Sequence, residues 1–304
     1  MWIDAATIRD KLAMPALIAA LAAADRSLFT VPERLHYPVG GGDLLSMPAY
    51  SPSVLGMKIV TVFPGNSRAG LPTVHATYQL FSARTGEILA TIDGTELTRW
   101  RTAAVAVLAA LNLFGASPGH ILVVGTGALS SYLVSAFAES YPDAEIAVWG
   151  RRQEAGEAVA RRARAARQAA VSVPDLETAT RRADIICCAT SSTAPLVLGS
   201  WVKDGAHLGL IGGFTPQMHE TDSVAFRDAL VVVDTPAAMV GAGELRAAVR
   251  DGYLRESELL TLSSLLSKND RAGGRASRTI FKSIGSAEND LIAGEYLWRL
   301  VSSS

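Results

Sequence analysis

The segment HILVVGTGALSSYLVSAF, residues 120–137, joins an apolar run to a glycine-rich turn and then to a helix-like pattern. The apolar run predicts a buried strand, and Gly125 and Gly127 permit a tight turn with close backbone approach to a ligand. Ser130 takes the third place of the pattern, where Gly or Ala is usual. A strand, such a turn and a helix in succession indicate a dinucleotide site, because the turn cradles a pyrophosphate. The residues expected to contact the dinucleotide here are Gly125, Thr126, Gly127, Ala128 and Leu129.

The end of the next expected strand, AEIAVW at 144–149, indicates which dinucleotide is bound. Sites that prefer NAD usually have Asp or Glu there to bind the ribose 2′-hydroxyl, whereas this chain has Gly150, Arg151 and Arg152. Two guanidinium groups can bind a 2′-phosphate, which NADPH carries and NADH lacks. We therefore expect NADPH as the cofactor, with NADH used more weakly. The alternative is that both arginines only begin a basic, solvated helix.

The residues that follow alternate strand and helix patterns, as a doubly wound parallel sheet requires. Further strands are expected at 171–173, 185–189, 207–211 and 230–233. Ligands of such sheets bind at the carboxyl ends of the strands, so Ala189 and Thr190 are expected to contact the cofactor. The segment 278–296 has a helical pattern and is expected to return to the first domain.

The N-terminal third has a different texture, with Pro, Gly and Ser between strand-like runs such as LLSMPAY and GMKIVTVF. This pattern predicts a mixed α+β unit. The expected fold is therefore of the α/β class: a Rossmann doubly wound parallel sheet that binds NAD(P), at 105–283, inserted in a smaller α+β domain. We expect that smaller domain, formed by 1–104 plus 284–304, to bind the substrate.

Composition narrows the classes of partner. With 49% hydrophobic and 19% charged residues, the 304-residue chain can form substantial buried cores. A formal net charge of −1 favours neither nucleic acid nor an anionic membrane as a partner, and we expect neither a signal peptide nor a membrane span. The adjacent Cys187 and Cys188 favour strand packing in a reducing, cytoplasmic setting. The spacing of His and Cys fits no metal site, so no metal is expected.

Two places in the N-terminal third draw attention on chemical grounds. Lys58 interrupts the apolar run LGMKIVTVF, so its ammonium must reach water or a partner. Taken alone, a lysine on the wet face of a half-exposed strand is the simpler explanation. Arg101 and Thr102 begin the helix-like run RTAAVAVLAAL, and we expect them to meet the cofactor through the N-terminus of that helix.

Several separated segments occur in one order: GMKIVTVFPGN, GLPTVHATYQLF, TGEILATIDGTELTRWRTAA, GTGALS, GGFTP and TIFKSIG followed by an Asp. Together they resemble the ornithine cyclodeaminase/μ-crystallin family over nearly the whole chain. The resemblance implies a homodimer, formed through the smaller domain, that uses a nicotinamide cofactor. Activities in that family are ornithine cyclodeamination, amino-acid dehydrogenation and the reduction of cyclic ketimines, which share hydride transfer at a carbon bearing nitrogen and a carboxylate.

The resemblance also implies roles for particular residues. Arg34, Lys58 and Arg101 match the positions that bind the substrate carboxylate, and Lys58 becomes the expected catalytic residue. Thr73 matches a position that contacts the substrate. The FKSIG run is expected to bring Ser283 to the nicotinamide side of the site.

Two departures from the family's cyclodeaminase narrow the expected substrate. Phe214, in GGFTP, stands where the cyclodeaminase and the related alanine dehydrogenase have an aspartate, and Met47 stands where the cyclodeaminase has a glutamate. Neither side chain can move a proton or hold an ammonium by charge. A pocket lined by both suits a flat apolar ring, as in the family's Δ1-pyrroline-2-carboxylate and Δ1-piperideine-2-carboxylate reductases, which form L-proline and L-pipecolate with NADPH.

The expected reaction is therefore hydride transfer to C2 of a cyclic imino acid, with electrostatic help from Lys58. His36, Thr215 and water are open as proton donors. One alternative is an ornithine cyclodeaminase or amino-acid dehydrogenase, which release of ammonia or amine would reveal. Another is an NADPH-dependent small-molecule binding protein like μ-crystallin, which would retain the cofactor without turnover.

Overall fold

A computed structural model describes residues 1–268 and 277–303 of the chain. The chain divides into two compact units, one formed by Met1–Arg101 with Ser286–Ser304 and the other by Thr102–Gly285. Helix α3 (Gly94–Leu113) contains the point at which the chain passes from the first unit to the second. Each unit is built on its own β-sheet.

The sheet of the first unit has six described strands. They are β1 (Trp2–Ile3), β2 (Leu35–Val39), β3 (Gly42–Tyr50), β4 (Val54–Val62), β5 (Val74–Ser82) and β6 (Ile88–Asp93). Across the sheet their order is β1-β6-β5-β4-β3-β2, antiparallel except for the β1–β6 pair. The helices of this unit are α1 (Ala5–Lys11), α2 (Met14–Ala23) and α10 (Ala287–Ser302).

One face of this sheet is buried against α10. The ring of Tyr78, on β5, packs so closely between Gly56 and Gly294 that a Cβ atom at either glycine would overlap it. Alternate residues of the strands share this face, because successive side chains of a strand point to opposite sides. The face therefore includes Lys58 of β4, which pairs with Tyr78 across the ladder.

The opposite face of the same sheet carries apolar side chains that remain exposed in the single chain. Leu35 and Tyr37 of β2 are each 50% exposed, and Ile59 of β4 is 39% exposed. Exposed apolar surface of this extent is typical of a face that another molecule covers.

The sheet of the second unit has eight described strands, all parallel, in the order β13-β12-β14-β11-β10-β7-β8-β9. The strands are β7 (His120–Val124), β8 (Glu145–Trp149), β9 (Ala170–Ser172), β10 (Ile185–Cys188), β11 (His207–Leu210), β12 (Ala229–Val233), β13 (Leu260–Thr261) and β14 (Arg278–Lys282). The helices are α4 (Ser130–Ser140), α5 (Gln153–Ala165), α6 (Leu176–Arg182), α7 (Ala238–Gly241), α8 (Gly243–Arg250) and α9 (Leu262–Lys268). This is the expected Rossmann-type parallel sheet.

The central strands are continuous apolar runs because a parallel sheet with helices on both faces buries every position. All four residues of β10 are buried, including the free thiols of Cys187 and Cys188, and burial raises the pKa of both. Asp175 caps α6 by accepting a hydrogen bond from Thr178 N at 2.8 Å.

The expectation of a continuous helix over 278–296 is wrong. Residues Arg278–Lys282 form β14, which lies between β11 and β12, and the helix begins only at Ala287. The run Thr279, Ile280 and Phe281 is β-branched and aromatic, which favours a strand, and pairing on both sides stabilises it.

The expected helix start at Arg101 is also wrong. Helix α3 begins at Gly94, where Asp93 Oδ1 accepts a hydrogen bond from Glu96 N at 2.9 Å. Arg101 and Thr102 therefore lie about two turns inside the helix, where backbone N–H groups are used by the helix itself. Neither residue can meet a cofactor through the helix N-terminus.

Candidate active site

A buried carboxylate joins two buried cations in the first unit. Lys58 Nζ lies 2.6 Å from Asp290 Oδ2, and Arg101 Nε donates to Asp290 Oδ1 at 2.7 Å. Lys58 is 3% exposed, Arg101 is 4% exposed and Asp290 is fully buried. We call these three residues the cation cluster. Three separate segments build it, because β4 supplies the lysine, α3 the arginine and α10 the carboxylate.

The strand register places further expected site residues beside Lys58. Met47 of β3 is its direct ladder partner, so both side chains lie on the same face of the sheet, and Met47 is buried. Leu35 pairs with Ser46, so extending that register by one residue puts Arg34 opposite Met47. The structure thus brings Arg34, Met47 and the cation cluster together within the first unit.

The electrostatics of the cluster follow from burial and charge. Burial lowers the pKa of Lys58 to about 8; Asp290 opposes this shift, while the charges of Arg101 and Arg34 add to it. Burial alone would raise the pKa of Asp290, but Arg101 and Lys58 hold it below its usual value. At neutral pH the cluster therefore contains two cations and one carboxylate. One positive charge is left in excess, and a buried excess charge favours the binding of an anion.

Two other expected substrate residues of the first unit lie at different distances from the cluster. His36 is on β2, on the same face as Arg34, and its Nε2 lies 2.6 Å from Asp43 Oδ1. Thr73 precedes β5 and is five residues from Tyr78 along the chain, which corresponds to roughly 16 Å of extended strand. The ladder therefore brings His36 near Arg34 but leaves Thr73 away from Lys58.

In the second unit, the glycine turn after β7 lies between the ends of two neighbouring strands. Gly125 has φ +124° and donates its N–H to Trp149 O at 2.8 Å. A Cβ atom there would lie 2.5 Å from Ala189 O, so only glycine fits. The side chain of Thr126 packs against Gly150, where a Cβ atom would overlap it. The turn, the end of β8 and the end of β10 thus meet at one place.

The unusual serine of the glycine pattern is explained by a local hydrogen bond. Ser130 is fully buried as the first residue of α4, and its hydroxyl donates to Gly125 O at 2.8 Å. The side chain is small and its hydrogen bond is satisfied, so the close packing of helix on strand is preserved. Helix α4 has no side-chain cap, which leaves the N–H groups of its first turn able to face a phosphate.

The remaining expected cofactor residues of the turn region lie around it. Gly127, Ala128, Arg151 and Arg152 are exposed, whereas Thr126, Leu129, Ala189 and Thr190 are half-buried. Arg151 and Arg152 directly follow Gly150 at the end of β8, beside Thr126. A turn that requires glycine at 125, an uncapped helix after it and two exposed arginines nearby fit the phosphates of a dinucleotide.

The other expected residues of the second unit lie farther along the carboxyl edge of its sheet. Phe214 and Thr215 are half-buried in the loop that follows β11. Ser283 directly follows β14, is buried, and donates its hydroxyl to Asp234 Oδ2 at 2.7 Å. Thr102, the first residue of this unit, is half-buried within α3.

Sequence reasoning missed the role of Asp290. The signal was present, because Asp290 directly precedes the apolar run LIAG, and a carboxylate that such a run carries into a core requires a buried partner. The sequence did not identify the partners of Asp290, because Lys58 and Arg101 lie about 190 residues or more away along the chain. Glu220, whose carboxylate accepts bonds from two loops of the second unit, was missed for the same reason.

Within 1–268 and 277–303, no helix combines the length and apolar character needed to cross a membrane. Over the same residues, no group of three or more His, Cys, Asp or Glu side chains is arranged to hold a metal ion.

Comparison with known proteins gives consistent similarities over the whole chain. The model of the ornithine cyclodeaminase/mu-crystallin family matches residues 4–303. The chain is 37% identical to the protein SAR DEFICIENT 4 of Arabidopsis thaliana, over 88% of this chain and 86% of that protein. It is 35% identical to a Δ1-pyrroline-2-carboxylate/Δ1-piperideine-2-carboxylate reductase of Azospirillum brasilense, over 95% and 92%. The solved structure of Thermococcus litoralis Δ1-pyrroline-2-carboxylate reductase, in complex with NADH and L-proline, has a TM-score of 0.93 at 24% identity, over 100% and 98%.

Proposed function

Because the chain belongs to the ornithine cyclodeaminase/mu-crystallin family, we propose that it is a reductase of cyclic imino acids that uses NADPH. The proposed reactions convert Δ1-pyrroline-2-carboxylate to L-proline and Δ1-piperideine-2-carboxylate to L-pipecolate. The relative from Azospirillum brasilense carries both of these substrates in its name, and that similarity supports the proposal.

The observation that carries the proposal is the excess positive charge of the cation cluster beside an apolar neighbour. Lys58 and Arg101 share the single carboxylate of Asp290 and leave one charge for an anion. Met47 lies directly across the ladder from Lys58 and offers an apolar surface. A small ring with one carboxylate matches both features, because its carboxylate can bind the cations and its apolar ring can pack on the methionine.

The proposed reaction adds one hydride and one proton across a C=N bond, and a bound nicotinamide would supply the hydride to C2. Arg34, Lys58 and Arg101 bind and orient the substrate carboxylate. Lys58 keeps its Nζ proton at neutral pH, because its pKa is about 8, and its charge stabilises negative charge that develops on the substrate. His36 and Thr215 remain the side chains considered as proton donors to nitrogen.

The absence of carboxylates at two positions separates this proposal from deamination. Phe214 and Met47 replace the acids that the family's cyclodeaminase uses for its substrate amine. An open-chain amino acid would bring an ammonium into contact with apolar groups, which costs free energy. A cyclic imine needs no such acid, so the substitution favours it.

We also propose that the protein works as a homodimer in the cytoplasm. The exposed apolar face of the first unit, with Leu35, Tyr37 and Ile59, supports a second copy as its cover. The two buried free thiols support a reducing compartment.

The first experiment measures NADPH oxidation at 340 nm with Δ1-pyrroline-2-carboxylate and with Δ1-piperideine-2-carboxylate, alongside NADH and an ammonia assay with L-ornithine. We expect rapid oxidation of NADPH with both imines, slower oxidation of NADH and no ammonia. The two rings differ by one methylene, so their kcat/KM values should lie within roughly 200-fold of each other. Inactivity on both imines would refute the proposal.

The double variant Arg151→Ala/Arg152→Ala tests the cofactor preference. We expect the KM for NADPH to rise roughly 10- to 100-fold, because charge-assisted hydrogen bonds to the 2′-phosphate are lost. The KM for NADH should stay within about twofold, since NADH has no such phosphate. The matched control is Arg161→Ala/Arg162→Ala on the exposed side of α5, which should change neither KM. An equal rise for both cofactors would contradict a phosphate-binding role.

A further inference from the structure

A fully buried carboxylate in the second unit joins the loops that follow two neighbouring strands. Glu220 Oε1 accepts hydrogen bonds from Thr190 N at 2.7 Å and from Thr190 Oγ1 at 3.0 Å. Its Oε2 accepts from Gly212 N at 2.7 Å and from Gly213 N at 3.2 Å. Thr190 follows β10 and the two glycines follow β11, so one side chain holds both loops at the carboxyl edge of the sheet.

Two further buried charges lie beside this carboxylate: burial raises the pKa of Glu220, Lys282 opposes that shift and Glu244 adds to it. Lys282 Nζ lies 2.8 Å from Glu244 Oε1 and 4.0 Å from Glu220 Oε2, and all three side chains are fully buried. Lys282 ends β14, and Glu244 lies in the first turn of α8. We call Glu220, Lys282 and Glu244 the edge cluster.

The two loops pack closely around the edge cluster. A Cβ atom at Gly212 would overlap Thr190, and one at Gly213 would lie 3.3 Å from Lys282 Nζ. The two loops are therefore in direct contact, and Glu220 determines their spacing. The same chain then continues into Phe214 and Thr215, which the proposed function assigns to the substrate.

The location of the edge cluster bears on its role. Burying three charges costs considerable free energy, and apolar side chains of similar volume often stabilise a fold as well or better. This cluster lies at the carboxyl edge of a parallel sheet, where ligands of such folds bind. Its hydrogen bonds reach Thr190, Gly212 and Gly213. The glycine turn, which the proposed function assigns to the pyrophosphate, contacts the same loop through the packing of Gly125 against Ala189.

We propose that Glu220 is a positioning residue for the nicotinamide half of the cofactor. By fixing Thr190 against Gly212 and Gly213, it shapes the surface that the nicotinamide half contacts. The adenosine half is held elsewhere, at the glycine turn and the arginines that follow β8. This inference rests on the proposed use of NADPH.

The test compares two ligands on the variant Glu220→Gln by calorimetry. NADPH reaches both halves of the site, whereas 2′,5′-ADP reaches only the adenosine half. The amide of the variant directs an NH2 group at backbone N–H donors, so hydrogen bonds to one of the two loops are lost. We expect the Kd for NADPH to rise about tenfold and the Kd for 2′,5′-ADP to stay within about twofold. The kcat should fall as well. A general structural defect would weaken both ligands together.

A matched control uses a carboxylate at the opposite edge of the same sheet. Asp184 accepts bonds from Gly119 N at 2.8 Å and His120 N at 2.9 Å, and it pairs with Lys203. Asp184→Asn should lower the Tm without changing either Kd. If Glu220→Gln fails to fold, as judged by circular dichroism, Glu220→Asp replaces it, because the shorter carboxylate keeps the charge but reaches only one loop.

The outcomes separate this inference from the proposed reaction. Unchanged affinity for NADPH in the folded Glu220 variant, or an equal loss for both ligands, would overturn the positioning role. If the wild-type protein binds NADPH but reduces neither imine, the proposed reaction is refuted. The change in Kd for NADPH compared with that for 2′,5′-ADP still decides the role of Glu220. Wild-type protein that binds no NADPH would overturn both.

Discussion

Replacing Lys58 by methionine is expected to lower kcat/KM for Δ1-pyrroline-2-carboxylate by about 10²- to 10³-fold. Methionine has a similar length and apolar stem but no charge, so the cation cluster loses its excess positive charge. Asp290 and Arg101 then neutralise each other, and a bound carboxylate would no longer be balanced. Steady-state kinetics across a range of imino-acid concentrations measures the loss.

The control for this variant is Lys11→Met, on α1 of the same unit, where the lysine is partly exposed and 3.9 Å from Asp10. It should leave kcat/KM unchanged, because a surface lysine contributes little. The affinity of Lys58→Met for NADPH should also match the wild type. A Lys58→Met protein with undiminished kcat/KM would remove Lys58 from the site.

Replacing Asp290 by asparagine is expected to lower the free energy of unfolding by about 3–5 kcal/mol, because two buried cations lose their shared carboxylate. It should also move the pH dependence of kcat/KM. In the wild type, kcat/KM should fall as pH rises through about 8, where Lys58 loses its proton. Asp290 raises the pKa of Lys58, so the variant should lose activity at a lower pH.

Denaturant unfolding and a pH profile of kcat/KM measure the two effects separately. The matched control is Glu288→Gln. Glu288 lies on α10, as Asp290 does, and the substitution breaks its ion pair with Arg26. It should reduce stability but leave the alkaline limb of the profile where it is. A profile of Asp290→Asn that coincides with the wild type would show that Asp290 does not control the protonation of Lys58.

Much of the fold could be predicted from the sequence because local signals and tertiary structure agree there. The glycine turn at Gly125 and the apolar strands can each be recognised from a few consecutive residues. The start of α3 was missed although Asp93 is a favourable cap, because the strand-like pattern GEILATID runs directly into it. Strand β14 was missed because its pairing with two other strands outweighs a helical spacing of apolar residues.

The sites were predicted only in part because their contacts join distant segments. Lys58 and Arg101 could be named from the family resemblance, but the carboxylate that holds them together comes from the C-terminal helix. In the same way, Glu220 and Lys282 have no local pattern that pairs them. The sequence can identify a single buried charge, whereas its ion-pair partner can be assigned only once the strand order is known.

The position of β14 determines when the protein can complete its folding during synthesis. This strand is synthesised after β12 and β13, yet it lies between β11 and β12. Until it leaves the ribosome, those two strands have unpaired edges, and such edges favour aggregation. Helix α10, which supplies Asp290, emerges later still. The nascent chain therefore cannot complete this sheet until β14 has emerged, and shielding by a chaperone over that interval is expected to increase the yield of native protein.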